Sequence, residues 1–123
     1  MEPNNPYIVY WQKRLIEQQN KNEYLSKQAR QNLEVIVKIL QEEFRVKKII
    51  LFGSLVKGNF TEKSDIDLAV SGIPPEDYFM VLARVNSLSN FPIDLKPLEA
   101  LEPYFLQRGL ETGECLYESD ISE

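Results

Sequence analysis

Apolar residues recur along this chain with two different periods. Leu25, Ala29, Leu33, Ile36, Val37, Leu40 and Phe44 fall at helical spacing, with Lys, Gln and Glu between them. That spacing predicts a helix over about 23–45. Upstream, Asn5-Pro6 is a helix start, with Asn as the cap and Pro at the first helical position. Ile8, Trp11 and Leu15 then share one face. The polar run "EQQNKNE" separates the two patterns, so two helices are expected. Past Arg45 the period shortens. "KKIILFG" reads as a short buried strand ending at Gly53. "SDIDLAVSG" reads as a second strand, closed by Gly72-Ile73-Pro74-Pro75. The double proline opens a helix over about 75–89. "FPIDLKPL" is a third strand, and 98–111 a last helix with Pro103 in its first turn and Gly113 just past its end. "ECLY" is a candidate fourth strand at an edge. Alternating helices and short strands predict an α+β fold, a small mixed sheet of three to four strands flanked by helices. The expected organisation is one domain over 1–123, with N-terminal helices in 1–45 and the sheet-bearing core in 46–123.

Candidate chemistry sits where the alternation turns acidic. In "LFGSLVKGNFTEKSDIDLAV" a glycine-serine pair follows the first strand, and Asp65 and Asp67 open the second. Strand side chains alternate between faces, so Asp65, Asp67 and Ala69 share one face while Ile66, Leu68 and Val70 enter the core. Two carboxylates at i and i+2 start roughly 6–7 Å apart at the backbone and can converge on one cation or bracket two. Asp94 repeats the pattern between Ile93 and Leu95, and adjacent strands would bring three acids to one face. A D-x-D taken alone is more often a surface strand end, and Asp94 alone an edge charge against aggregation. The ordered conjunction of all three with Gly53-Ser54 is the informative feature. Gly53 lets backbone N–H groups approach a phosphate closely. Ser54 adds a hydroxyl, and "LVKG" can form one helical turn behind it. Lys57, Lys63 and Ser64 are further donors. The Walker spacing is absent.

Composition narrows the chemistry. The 123 residues contain no histidine and one cysteine. Histidine-based triads and histidine-ligated zinc are therefore excluded, and no intrachain disulfide forms, which fits a cytoplasmic location. Hard oxygen donors select Mg²⁺, with Mn²⁺ as a substitute, and two such ions would clamp a phosphoryl or nucleotidyl transfer. The formal charge is −5 and the pI about 4.9, against direct nucleic-acid binding. Hydrophobic residues make up 43%, yet apolar runs such as Ile49–Phe52 are too short to span a bilayer. Tyr7, Tyr10 and Trp11 are expected to pack the first helix onto the domain, with a partner-docking face as the second reading. Cys115 is expected in the core.

G-S, ten residues, D-x-D and a later strand Asp together resemble the DNA polymerase β-like nucleotidyltransferase superfamily. The stretch looks most like the minimal nucleotidyltransferase (MNT) antitoxins of HEPN/MNT toxin–antitoxin pairs, over about 47–97. The resemblance implies a nucleotidyltransferase fold, Mg-ATP as donor, and transfer of AMP to a tyrosine hydroxyl of a cognate HEPN ribonuclease toxin with pyrophosphate release. It implies that Asp65, Asp67 and Asp94 bind metal, that Asp94 helps deprotonate the acceptor, and that Gly53 and Ser54 hold the β- and γ-phosphates with Ser64 nearby. Relatives often carry G-S-R-A-R-G; here Leu55 and Lys57 replace the arginines, and Lys is a point charge where Arg is a bidentate fork. The alternatives are an antitoxin acting by occlusion without catalysis, and a small-molecule nucleotidyltransferase. The latter commonly has an added helical domain for its acceptor.

Overall fold

The computed structural model describes residues 5–119. Helix α1 spans Pro6–Phe44 without interruption, 39 residues in all. Asn5 caps it, its side-chain oxygen accepting the Tyr7 N–H at 2.9 Å, and Arg45 ends it at φ 51°. The two expected helices are therefore one. "EQQNKNE" contains neither Gly nor Pro, and Gln, Lys and Glu are good helix formers. Gln18 also donates to Asn22 one turn on, at 3.1 Å. The lapse in the apolar stripe marks lost burial, with no break in the helix. Residues 9–21 are all exposed, whereas Ala29, Leu33, Ile36 and Leu40 are buried. Tyr7, Tyr10 and Trp11 accordingly do not pack on the domain; they stack edge-on against one another.

The chain continues through β1 (Lys48–Phe52), α2 (Ser54–Lys57), β2 (Ile66–Ser71), α3 (Tyr78–Leu88), β3 (Ile93–Pro97), α4 (Pro103–Thr112) and β4 (Glu114–Glu118). Single 3-10 turns precede α3 and follow β3. The last helix is thus shorter than expected. Pro103 drives Glu102 into extended backbone, which cuts the helix off from the turn at Leu98–Ala100. The strand order is β3-β2-β1-β4, so "ECLY" does form an edge. β1 runs antiparallel to β2 and β4, and β2 runs parallel to β3 through the α3 crossover. This is the α+β fold expected.

One face of the sheet carries the main core. Ile49, Leu51, Ile66, Leu68, Val70, Ile93 and Leu95 pack with residues of α1 and with Val81 and Val85 of α3. Leu55 and Phe60, from the connection between β1 and β2, join the same core. Asn86 of α3 fixes the start of β3: its amide donates to the Ile93 carbonyl (3.1 Å) and accepts the Ile93 N–H (2.9 Å). Asn32 of α1 donates to Ser89 (2.7 Å) and accepts the Asn90 N–H (2.9 Å), holding the loop ahead of that strand. Cys115 is exposed, correcting the core expectation. It pairs with Ile50 on the edge strand, on the face opposite the main core. Among the described residues no helix is long and apolar enough to cross a membrane.

Candidate active site

The face opposite the main core is covered only in part. α4 crosses it, with Gly109 against the Phe52 ring and Gly113 against Ile50; a methyl at either glycine would overlap those side chains. Beyond α4 the same face presents Asp67, Asp94 and Lys96. Asp67 lies opposite Phe52 in the antiparallel pair and opposite Asp94 in the parallel pair. The register therefore places the two acids side by side, next to the end of β1.

Gly53 closes β1 with φ 78°, a conformation glycine adopts without strain. A Cβ there would overlap the Asp67 carboxylate, so the missing side chain is required twice over. The backbone thus passes directly against the acid. Ser54 begins α2, and Lys57 ends it, its N–H bonded to the Gly53 carbonyl at 3.1 Å. Leu55 points into the core. That explains one departure from G-S-R-A-R-G: at this position the chain spends the side chain on packing.

The excursion from Gly58 to Asp65 is anchored by Phe60, which is buried and stacks edge-on against Phe91 at 5.7 Å. Ser64 closes the following turn. Its hydroxyl accepts the Thr61 N–H at 2.9 Å, and its own N–H donates to the Thr61 carbonyl. Asp65 stands exposed just ahead of β2.

Electrostatics concentrate on Asp67. Partial burial pushes its carboxyl above the usual range, and the negative charges of Asp94 and Asp65 push the same way. Lys96 offsets part of this. Register sets Asp67 directly beside Asp94, and Lys96 Nζ lies 3.4 Å from Asp94 Oδ2. Burial and the Asp94 charge also raise the Tyr78 hydroxyl. Among the described residues no three His, Cys, Asp or Glu side chains are gathered as a ready metal cage. What the fold supplies is a close pair, Asp67 and Asp94, with Asp65 near enough for its charge to act on the pair. Excess negative charge on oxygen-only donors, incompletely balanced by one lysine, fits a hard divalent cation.

Beside the acids is a cavity of about 280 Å³, lined by Phe52, Gly53, Lys57, Lys96, Leu101, Phe105, Arg108, Gly109 and Thr112. Three cationic side chains thus meet at the glycine turn. No motif singles out Lys96 or Arg108. Strand alternation from Asp94 could have flagged Lys96 two residues on. For Arg108 no local signal exists, because only the packing of α4 on β1 brings it here.

A four-stranded sheet thus carries a glycine turn, a register-paired acid couple and an adjoining cationic cavity. Residues 34–122 match the family described as polymerase beta, nucleotidyltransferase, and the chain belongs to that family. Over 77 residues it is 34% identical to MJ0128 of Methanocaldococcus jannaschii, a candidate protein adenylyltransferase; the match covers 60% of this chain and 79% of the relative. The fold resembles a chain of a toxin–antitoxin complex crystallised with AMP-PNP, with a TM-score of 0.61 and 25% identity over 69% of this chain and 72% of that one. It also resembles a chain of a complex between a tri-AMPylated Shewanella oneidensis HEPN toxin and an MNT antitoxin. There the TM-score is 0.58 and the identity 23%, over 74% and 73% of the two chains, a likeness of fold alone.

Proposed function

We propose that this protein is an antitoxin of the MNT type, which transfers AMP from ATP to a tyrosine hydroxyl of a cognate HEPN toxin. The observation that carries the reading is the in-register pairing of Asp67 with Asp94, against Gly53 and beside the cationic cavity. The relatives support it: a candidate protein adenylyltransferase on one side, and a toxin–antitoxin complex holding an ATP analogue on the other.

Asp65, Asp67 and Asp94 would hold one or two Mg²⁺ ions, which when bound neutralise phosphate charge and ease ionisation of the attacking hydroxyl. The chain does the rest. Gly53 backbone and the Ser54 hydroxyl seat the β- and γ-phosphates. Lys57 and Arg108 add positive charge at the cavity wall. A tyrosine hydroxyl ionises near pH 10, so at neutral pH it needs a proton acceptor. Asp94 takes that proton. The tyrosine oxygen bonds to the α-phosphorus, the bond to the bridging oxygen breaks, and pyrophosphate leaves with the electron pair.

The test is intact-mass analysis of the toxin after incubation with this protein, ATP and Mg²⁺. The expected result is a gain in whole AMP units located on tyrosine, abolished by chelating the metal. Suppressed toxin with no mass gain would establish occlusion instead. The exposed half of α1, which lies outside the family match, is the feature that favours that second reading.

A further inference from the structure

We infer that Lys96 is a nucleotide-binding residue that serves as the resident counter-ion of the acid pair and moves to the nucleotide's phosphates when the metal-bound nucleotide enters. The inference rests on the nucleotidyltransferase reading of the site, and it concerns a residue that no motif marks.

Three observations lead to it. Lys96 follows Asp94 by two positions on β3, so both side chains project from the same face. Its Nζ lies 3.4 Å from Asp94 Oδ2, and its charge reaches Asp67 as well. The same side chain lines the cavity that contains Gly53, Lys57 and Arg108. Lys96 therefore stands between the carboxylates and the phosphate side of the site, touching both.

Magnitudes favour exchange over a permanent bond. At 3.4 Å the contact is longer than an ordinary charge-assisted hydrogen bond. Both side chains are about half exposed, 56% for Lys96 and 45% for Asp94. A pair of that kind contributes little net stability, so giving it up costs little. A divalent cation carries twice the charge of an ammonium, so Asp67 and Asp94 would hold it in preference to Lys96. The displaced ammonium, on a flexible four-carbon stem, is then left facing the incoming phosphates. The lysine thus stands in for the metal before it arrives and becomes a phosphate ligand afterwards. An ordinary solvated edge-strand lysine would do neither.

The two roles have opposite signs in binding, which makes them separable. In the full chain, Lys96→Met removes the competitor, so Mn²⁺ alone, titrated without nucleotide, should bind roughly two- to fivefold more tightly. The same variant should bind AMP-PNP with Mg²⁺ about tenfold more weakly or worse. Lys96→Arg should restore most of the nucleotide affinity, and Lys38→Met, removing a like charge from α1, should change neither. Thermal unfolding of each variant checks that the fold persists. Unchanged or weaker Mn²⁺ binding in Lys96→Met would overturn the inference, and so would unchanged AMP-PNP binding. If the unaltered chain takes up neither Mn²⁺ nor AMP-PNP, the nucleotidyltransferase reading itself fails, and the role of Lys96 falls with it.

Discussion

The two faces of the sheet come from the same strands and have opposite fates. Leu68 is buried in the main core, while its neighbour Asp67 looks out beside Gly53. Leu95 packs inward, while Asp94 and Lys96 on either side of it meet on the open face. Helices α1 and α3 seal the inner face. On the outer face α4 covers Ile50 and Phe52 and stops short of the acids. The inner face can thus absorb the cost of folding, leaving the outer face free to keep like charges together. Stability and chemistry are divided by the pleat, one residue apart.

That division can be tested by striking each face in turn. Asp65→Asn with Asp67→Asn should take AMP transfer to background while leaving the chain folded; transfer at the native rate, measured by toxin mass, would remove these acids from the chemistry. On the inner face, Leu68→Ala should cost about 2–5 kcal/mol of stability in denaturant unfolding, because a buried leucine leaves a cavity. Residual folded protein should still bind nucleotide. Lys57→Ala, at the cavity wall, should weaken AMP-PNP binding about tenfold and slow turnover less, read as a split between affinity and single-turnover rate.

The smallest effect concerns metal-free protein. The Asp67 carboxyl is raised in the folded state, chiefly by burial and then by Asp94. The folded chain therefore holds that proton more tightly than the unfolded chain does. Its contribution is fully present below the usual aspartate range, near pH 3.9, and is lost as pH rises through the raised folded value. Asp67→Asn should accordingly raise the metal-free Tm modestly at pH 7, with a smaller difference near pH 3.5. A lower Tm at pH 7 would mean that Asp67 is held by favourable contacts after all.

Period-two alternation made the outer face legible in sequence. It placed Asp67 and Asp94 opposite to Leu68 and Leu95 before any register was known, and Gly53 stood at the end of β1 as expected. Other features escape it for physical reasons. The continuity of α1 is hidden in sequence because its apolar stripe lapses over "EQQNKNE"; a stripe reports burial, whereas Gly, Pro or capping chemistry reports termination. Cys115 looked like a core residue by type, yet an edge strand leaves it exposed. The cationic cavity joins Lys57, Lys96 and Arg108 from α2, β3 and α4, an assembly made by tertiary packing that local pattern does not encode.

The unbroken length of α1 has a mechanical consequence. At about 1.5 Å per residue its 39 residues form a rod roughly 58 Å long. Its C-terminal half is clamped to the sheet by Ala29, Leu33, Ile36 and Leu40. The other half, tied to the rest of the chain through the exposed Lys21–Glu62 pair, projects as a cantilever, stiff where a loop would be slack. Whatever grips Tyr7, Trp11 or Leu15 is held at a set distance and bearing from Asp67, as by a boom fixed at one end.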